Sequence, residues 1–338
     1  MRRRRFLAGS VGVAGLSGCV GSPADGFGGE SAETYRNPVF GRVFPDPSAV
    51  RAADGTFYAY GTEEDGERFR RVPIVESTDL VNWTRVGEAF EEKPDWRDGA
   101  YLWAPDAVRM NGRYYLYYSY ADWGDENPGI GVATSDDPAG PFTDRGKLFR
   151  GDEIGVENSI DPMVFLRDGT PYLFWGSRRG IYAIRLRSDG VETAGEKTHV
   201  AGDHYEAAYV VERDGRYYLF VSTGTCCEGT SSTYRVRVGR SDSLLGAYVD
   251  AEGNDLREAK GPVVVEGGNG FVGPGHNAVV TDDAGDDWML YHAYEEGEGY
   301  VAETPRRVLM LDRIDWSDGW PTVEGRTPSR EAQVPEID

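Results

Sequence analysis

Three acidic residues occupy related positions in a pattern that recurs along this 338-residue chain. Nine residues before each of five turn glycines stands one member of the set Asp46, Trp103, Ile160, Glu206 and His276. In the third repeat, Asp161 comes one residue later. Hydrolysis of a glycosidic bond needs a proton donor and a second carboxylate that acts on the anomeric carbon. A third carboxylate nearby favours the protonated donor through like-charge repulsion. Asp46, Asp161 and Glu206 therefore form a candidate catalytic set, although each Asp-Pro pair, at 46–47 and 161–162, would singly suit a strand-entry turn.

The elements that must bring these residues together are five copies of a strand–turn–strand unit. The turn glycines of the five copies are Gly55, Gly112, Gly169, Gly215 and Gly285. Asp-Gly or Asn-Gly between apolar runs is a strong hairpin signal. The spacings of 57, 57, 46 and 70 residues suit four-stranded blades with variable loops. The sequence predicts an all-β, five-bladed β-propeller, since a β-sandwich would not give this period. The first strand of each blade lines the central channel, so the candidate residues should converge on one axis.

The composition is strongly acidic, with a formal net charge of -21. Such a surface repels phosphate backbones, so nucleic acid and anionic membranes are poor partners. Only four of the 36 basic residues are lysine. An acid excess with few lysines is typical of a surface adapted to high salt, where screening removes self-repulsion. We expect a halophilic source; the alternative is an ordinary acidic secreted protein.

Residues 1–19 are predicted to be an export signal. A basic stretch from Arg2 to Arg5 precedes a short apolar run, which ends in Leu-Ser-Gly-Cys at Cys19. The run is too short to cross a bilayer. Paired arginines resemble a twin-arginine signal, and the final four residues resemble a lipobox whose cysteine receives a lipid. We expect a flexible tether at 20–36, the catalytic domain at 37–325 and a tail at 326–338. The protein would be a monomer anchored at the cell surface only through Cys19; a cleaved signal without lipid is the alternative.

Several short motifs resemble glycoside hydrolase family 43. They are Phe-Pro-Asp-Pro-Ser at 44–48, Trp-Ala-Pro-Asp at 103–106, Ser-Ile-Asp-Pro at 159–162, Tyr-Glu-Ala-Ala-Tyr at 205–209 and Gly-Pro-Gly-His-Asn at 273–277. The resemblance extends over about 37–323, and residues 222–241 are most similar to arabinan-degrading members. One departure is Ala208, where the family usually has proline two residues after the acid.

The resemblance implies that Asp46 is the general base, Glu206 the general acid and Asp161 the group that modulates the acid. It also implies inversion at the anomeric carbon and endo-action on α-1,5-linked arabinofuranosyl chains of plant cell-wall arabinan or arabino-oligosaccharides. The alternatives are an exo-acting α-L-arabinofuranosidase or a β-xylosidase of the same fold. A non-catalytic sugar-binding propeller is less favoured, because it would not need three carboxylates on one axis.

Other residues are candidates for binding substrate or metal. Trp103 offers an apolar face to a furanose ring or packs within its blade. Arg307 matches a family arginine at the active site and is a candidate for binding sugar hydroxyls. Asn158, near Asp161, and Ser177, at the end of the aromatic strand of that blade, are weaker candidates. His276 matches a histidine that holds a hydrated calcium ion in similar arabinanases. The alternative for His276 is a hydrogen bond to Asp161 or Glu206 without metal, because calcium prefers oxygen ligands.

The remaining histidines and cysteines are predicted to have structural roles. His199, His204 and His292 do not stand nine residues before a turn glycine, so we interpret them as loop or core residues. Cys226 and Cys227 are neighbours in the chain. A disulfide between adjacent residues is strained, which favours two buried thiols near the site.

Overall fold

A computed structural model describes residues 33–63 and 69–338 of the chain. The predicted signal and most of the predicted tether lie outside these residues. The described part contains five antiparallel sheets that form the blades, four of them four-stranded and one three-stranded. Each blade is built from strands consecutive in the sequence, apart from one short hairpin inserted in the last. The predicted all-β, five-bladed propeller is confirmed. Within these two ranges no helix is long and apolar enough to cross a bilayer.

The strands follow the blade order along the chain. Strand β1 (Thr34–Arg36) precedes the blades. Blade 1 contains β2 (Ser48–Arg51), β3 (Phe57–Tyr60), β4 (Pro73–Ser77) and β5 (Thr84–Glu88). Blade 2 contains β6 (Tyr101–Met110), β7 (Arg113–Ala121), β8 (Gly129–Ser135) and β9 (Thr143–Arg150). A short α-helix, α1 (Gly151–Ile154), follows β9. Blade 3 contains β10 (Met163–Arg167), β11 (Thr170–Trp175), β12 (Ile181–Leu186) and β13 (Thr193–Ala201).

The last two blades complete the ring. Blade 4 contains β14 (Glu206–Arg213), β15 (Arg216–Thr223), β16 (Arg235–Ser241) and β17 (Val263–Val265), with a 3-10 turn at Gly229–Ser231. Blade 5 contains β18 (Phe271–Thr281), β19 (Asp287–Glu295) and β22 (Val308–Arg313). The small hairpin of β20 (Tyr300–Val301) and β21 (Thr304–Pro305) precedes β22. A 3-10 turn at Glu324–Arg326 and strand β23 (Glu331–Gln333) end the described chain.

The turns between the first two strands of each blade are of two lengths. In blades 2, 3 and 4 the turn contains only two residues, such as Asn111 and Gly112 between Met110 and Arg113. Both turn residues have positive φ (53° and 77°), which is the geometry that Asn-Gly and Asp-Gly favour in tight hairpins. Blades 1 and 5 have longer loops, which join Arg51 to Phe57 and Thr281 to Asp287.

The apolar core consists of five clusters, one between each pair of neighbouring blades. Ile74 of blade 1 and Leu116 of blade 2 belong to one such cluster. The cluster that closes the ring joins Phe57 of blade 1 to Leu290 and Leu311 of blade 5. Each sheet therefore buries both faces against its neighbours, and the inner ends of the blades are fixed around one axis.

The two ends of the domain pair with each other, which differs from the predicted boundaries. Strand β1, predicted as the end of the tether, pairs antiparallel with β23, predicted as tail. Tyr35 is 3% exposed and donates its hydroxyl to the Leu311 carbonyl at 2.6 Å. These residues therefore belong to the propeller, because they cover apolar surface that blades 1 and 5 leave open.

Candidate active site

The same backbone feature marks the inner strand of every blade. One residue near its start has a positive φ between 44° and 58°, and these five residues are Asp46, Ala104, Asp161, Ala207 and His276. Asp161 is thus in register with Asp46 and His276, whereas Trp103 and Glu206 each stand one residue earlier. The count of nine residues failed in blades 2, 3 and 4 because their turns are shorter. The predicted convergence on one axis does not depend on this difference.

All eight predicted site residues line one cavity of about 510 Å³ at the centre of the propeller. They are Asp46, Trp103, Asn158, Asp161, Ser177, Glu206, His276 and Arg307. Four residues missed by the sequence analysis also line it: Thr62, Trp123, Arg178 and Tyr234. The three carboxylates are between 7% and 8% exposed, so each needs partners for its charge or must keep its proton.

Asp46 is surrounded by donors. Arg307 Nη1 donates to its Oδ1 at 2.8 Å, and Thr62 Oγ1 donates to its Oδ2 at 2.6 Å. His276 Nδ1 lies 3.4 Å from Oδ1. Burial by itself favours the neutral acid, but Arg307, His276 and His292 hold the pKa of Asp46 well below its usual range. Asp46 is therefore a fixed carboxylate, suited to accept a proton from water.

His292 belongs to this environment, and its interpretation as a mere core or loop residue was incomplete. It is fully buried, and its Nδ1 accepts the backbone N–H of Asp46 at 3.1 Å. Burial lowers the pKa of His292 to about 4, so the ring is neutral at physiological pH. A sequence signal existed, because His292 stands seven residues after Gly285, as Thr62 does after Gly55 and Ser119 after Gly112. Thr62 Oγ1 and Ser119 Oγ accept a backbone N–H of the next blade in the same way, from Ala104 and Asp161.

Glu206 and Asp161 have different environments on the other side of the site. Glu206 Oε2 accepts a hydrogen bond from Ser177 Oγ at 2.7 Å and one from Arg178 Nε at 3.1 Å. Asp161 Oδ2 accepts the backbone N–H of Ala207 at 3.1 Å. Burial, and then the charges of Glu206 and Asp46, raise the pKa of Asp161 well above its usual range. Environments that separate the protonation of neighbouring carboxyls are what acid–base catalysis requires.

Comparisons with known proteins agree with this geometry. Residues 35–321 match the model of the glycosyl hydrolases family 43. The chain belongs to glycosyl hydrolase family 43. The extracellular endo-α-(1→5)-L-arabinanase 1 of Bacillus subtilis strain 168 is 31% identical over 336 residues, which cover 94% of this chain and 98% of that protein. The extracellular exo-α-(1→5)-L-arabinofuranosidase of Cellvibrio japonicus is 31% identical over 314 residues, covering 82% and 86% of the two chains.

A solved structure gives the same result. The Cellvibrio cellulosa α-L-arabinanase complexed with arabinohexaose superposes with a TM-score of 0.73 at 30% identity, covering 83% of this chain and 95% of that one. This family 43 chain is therefore a glycoside hydrolase, and the three similar proteins described above are named as arabinanases or as an arabinofuranosidase.

The aromatic residues of this family 43 enzyme form one wall of the cavity. The ring of Trp103 lies 5.2 Å from that of Trp123 and is stacked 6.3 Å from that of Tyr101. Trp123 is 72% exposed, so this wall continues to the mouth of the cavity. On the opposite side, Asn158 Nδ2 donates to the Ser177 carbonyl at 2.9 Å, which makes Asn158 a support for the residue that contacts Glu206.

The prediction of two buried thiols at Cys226 and Cys227 was wrong. The two residues form a disulfide, with their Cα atoms 3.8 Å apart, and both line the cavity half-buried. The usual spacing of disulfides disfavours adjacent cysteines but does not forbid them. Here the chain turns between β15 and the 3-10 turn at Gly229–Ser231, and this turn brings the two sulfur atoms together.

His276 is the one predicted metal ligand. Among the described residues, no group of three or more His, Cys, Asp and Glu side chains is arranged to hold a metal ion. Burial lowers the pKa of His276, which keeps a ring nitrogen lone pair available. Beside it, both side-chain polar atoms of Asn277 are buried without a hydrogen-bond partner in the described structure. These donors suit an ion bound mainly through water rather than a cage of protein ligands.

Proposed function

We propose that this enzyme is an inverting endo-hydrolase of α-1,5-linked arabinofuranosyl chains. The observation that carries the proposal is the contrast between Asp46, held as a carboxylate by Arg307, and Asp161, whose pKa is raised by burial and by the charges of Glu206 and Asp46 in the same cavity. Relatives named as endo-arabinanases and the neighbour that binds arabinohexaose support the choice of substrate. Plant cell-wall arabinan and arabino-oligosaccharides fit this choice.

In the proposed reaction Glu206 protonates the glycosidic oxygen as the bond to the anomeric carbon breaks. Asp46 accepts a proton from the water that attacks the opposite face of that carbon. Asp161 modulates the donor through its charge and its proton. Arg307 holds Asp46 in place, and Arg307, Ser177 and Asn158, which line the cavity, would contact the sugar hydroxyls. Trp103 offers its ring to the apolar face of a furanose.

Exo-action is a second candidate, because one relative of equal identity is named as an exo-arabinofuranosidase. Product analysis on linear 1,5-arabinan decides between them. Endo-action releases a ladder of oligosaccharides early in the reaction, whereas exo-action releases one short product from the start. Parallel assays on p-nitrophenyl arabinofuranoside and p-nitrophenyl xyloside test which sugar the enzyme recognises. Release from the xyloside alone would contradict the arabinan proposal, and NMR of the first product reports whether the configuration is inverted.

We also propose that a hydrated calcium ion binds beside His276. The ion would add positive charge below the three carboxylates, while His276 and water would supply its ligands. Calorimetric titration of the chelator-treated protein with calcium tests this directly. Binding that disappears in His276→Ala would support the proposal. A wild-type protein that takes up no calcium would contradict it, whatever its activity.

The N-terminal features support export. We propose that residues 1–19 direct twin-arginine export and that Cys19 receives a lipid, in agreement with two relatives named extracellular. Mass spectrometry of the membrane fraction should find a lipid-modified Cys19. A Cys19→Ala variant should then be released into the medium as a monomer by size-exclusion chromatography. An unmodified Cys19 in the mature wild-type protein would contradict the anchor.

A further inference from the structure

Arg178 donates hydrogen bonds to both carboxylate oxygens of Glu206. Its Nη2 donates to Oε1 at 3.1 Å and its Nε donates to Oε2 at 3.1 Å, which is a two-point fork. Ser177 adds a third hydrogen bond, to Oε2. Arg178 Nη2 also donates to the Gly224 carbonyl. A planar guanidinium that binds a carboxylate through two bonds stabilises its ionised form.

This ion pair conflicts with the general-acid role proposed for Glu206. A general acid must carry a proton and must place it within hydrogen-bond reach of the leaving oxygen. With Arg178 in place, each oxygen of Glu206 accepts an N–H group, and a proton on either oxygen would face a positive charge. This contact opposes a donor role for Glu206, and we infer that Arg178 moves away from it before the reaction.

The exposure of the two partners indicates which one can move. The Glu206 side chain is 11% exposed and begins β14, whereas the Arg178 side chain is 39% exposed and lies in the loop after β11. Arg178 lines the cavity on the same side as Glu206. A sugar that enters the space in front of Glu206 would meet the guanidinium first. Because the guanidinium is partly exposed, water can hydrate Arg178 when it leaves Glu206, which favours Arg178 as the partner that moves.

While Arg178 binds Glu206, a neighbouring carboxyl can hold the proton that catalysis needs. The titratable and charged side chains that face Glu206 are Asp161, Arg178, His276 and Tyr234. Among the carboxyls, Asp161 has a pKa raised by burial and by the charges of Glu206 and Asp46. Two carboxyls so placed titrate as a pair. While Arg178 neutralises Glu206, the proton of the pair belongs on Asp161.

We propose that Arg178 is a positioning residue that holds Glu206 as a carboxylate in the free enzyme and is displaced by the leaving-group sugar of the bound substrate. This inference rests on the proposed function. Displacement removes the positive charge from Glu206, and the proton of the pair passes to it. Glu206 gives this proton to the glycosidic oxygen as the bond to the anomeric carbon breaks. When the product leaves, the proton that Asp46 took from water passes to solvent, Asp161 takes up a proton from solvent, and Arg178 returns to Glu206.

The test compares pH profiles of kcat/KM and kcat on linear 1,5-arabinan for the wild-type protein, Arg178→Met and Arg178→Lys. The profile of kcat/KM reports groups of the free enzyme, and that of kcat reports groups of the substrate complex. Methionine keeps an unbranched side chain at a position with positive φ. The matched control is Arg179→Met, because Arg179 pairs with Glu157, both being more than half exposed, and contacts Arg178 through a hydrogen bond to the Arg178 backbone carbonyl, not through the Arg178 guanidinium.

In the wild-type protein, the alkaline limb of kcat should lie at higher pH than that of kcat/KM. Arg178→Met should move the kcat/KM limb upward by about 1–3 pH units, the usual effect of losing an opposite charge at this distance. Its kcat limb should stay in place, because Arg178 has already left the substrate complex. The kcat/KM limb of Arg178→Lys should lie between those of the wild-type protein and Arg178→Met. Both limbs of Arg179→Met should coincide with those of the wild-type protein. A role in folding alone would lower activity at every pH without moving either limb.

Two results would overturn the inference. One is a kcat/KM limb in Arg178→Met that coincides with wild type. The other is a shift of both limbs together, since Arg178 would then remain on Glu206 throughout the reaction. If Arg178→Met did not fold, two comparisons would remain: the kcat limb against the kcat/KM limb in the wild-type protein, and the kcat/KM limb of Arg178→Lys against that of the wild-type protein. The inference would be overturned if the limbs in both comparisons coincided. A wild-type protein that cleaves neither arabinan nor an aryl arabinofuranoside would instead overturn the proposed function, and this inference with it.

Discussion

Replacing Glu206 and Asp46 separately should distinguish a proton donor from a base. In Glu206→Ala the leaving oxygen has no proton donor, so hydrolysis of arabinan should fall by about 10²–10⁴-fold, or about 3–5 kcal/mol in the barrier. An aryl arabinofuranoside has a good leaving group and should lose far less. In Asp46→Ala the attacking water has no base, so both substrates should lose activity together.

The structure also gives the cost of each change to stability. Glu206→Ala leaves Arg178, whose side chain is 39% exposed and can be hydrated, so the change should be small. Asp46→Ala leaves Arg307, whose side chain is only 11% exposed, without its carboxylate. Removing one partner of a buried pair typically costs about 3–5 kcal/mol. Thermal unfolding must therefore accompany the kinetics, and Asp46→Asn is the variant that keeps one side-chain oxygen for Arg307.

The assay measures reducing ends released from linear arabinan beside p-nitrophenol released from the aryl arabinofuranoside, at a temperature where every variant is folded. Azide should restore activity to Asp46→Ala by replacing the activated water, and the azide product should have inverted configuration. Azide should not restore hydrolysis of arabinan by Glu206→Ala. Equal losses on both substrates for both variants would refute the assignment of acid and base.

Three further predictions concern protons and salt. Asp161→Asn should move the alkaline limb of activity on arabinan to lower pH, because the pair loses its most strongly held proton; an unchanged limb would contradict the modulating role. Burial raises the pKa of Asp106 to about 7, so its contribution to stability is present below about pH 4 and is lost as the pH rises through 7. Asp106→Asn should remove this dependence, about 4 kcal/mol across the window, in chemical unfolding at pH 4 and pH 8. The melting temperature of the chain without residues 1–19 should rise steeply from low to molar salt, since screening lengths fall from about 30 Å at 0.01 M to about 3 Å at 1 M; a flat profile would refute salt adaptation.

The sequence by itself determined the repeat, the propeller and the residues that meet at its axis. This was possible because hairpin turns and strand periodicity are local properties, and a closed ring of similar units brings equivalent positions together. The repeat also carried the signal for His292, which stands seven residues after Gly285, on the second strand of its unit and not on the first.

Tertiary structure alone decided how these residues pair. The fork of Arg178 on Glu206 joins a loop after blade 3 to the first strand of blade 4, and no local pattern encodes that contact. The pairing of β1 with β23 joins residues almost 300 positions apart. The Cys226–Cys227 disulfide depends on the path of one turn. Residue types along a chain set which charges are available, but distance and burial in the folded state set which carboxyl keeps its proton and which is held by a cation.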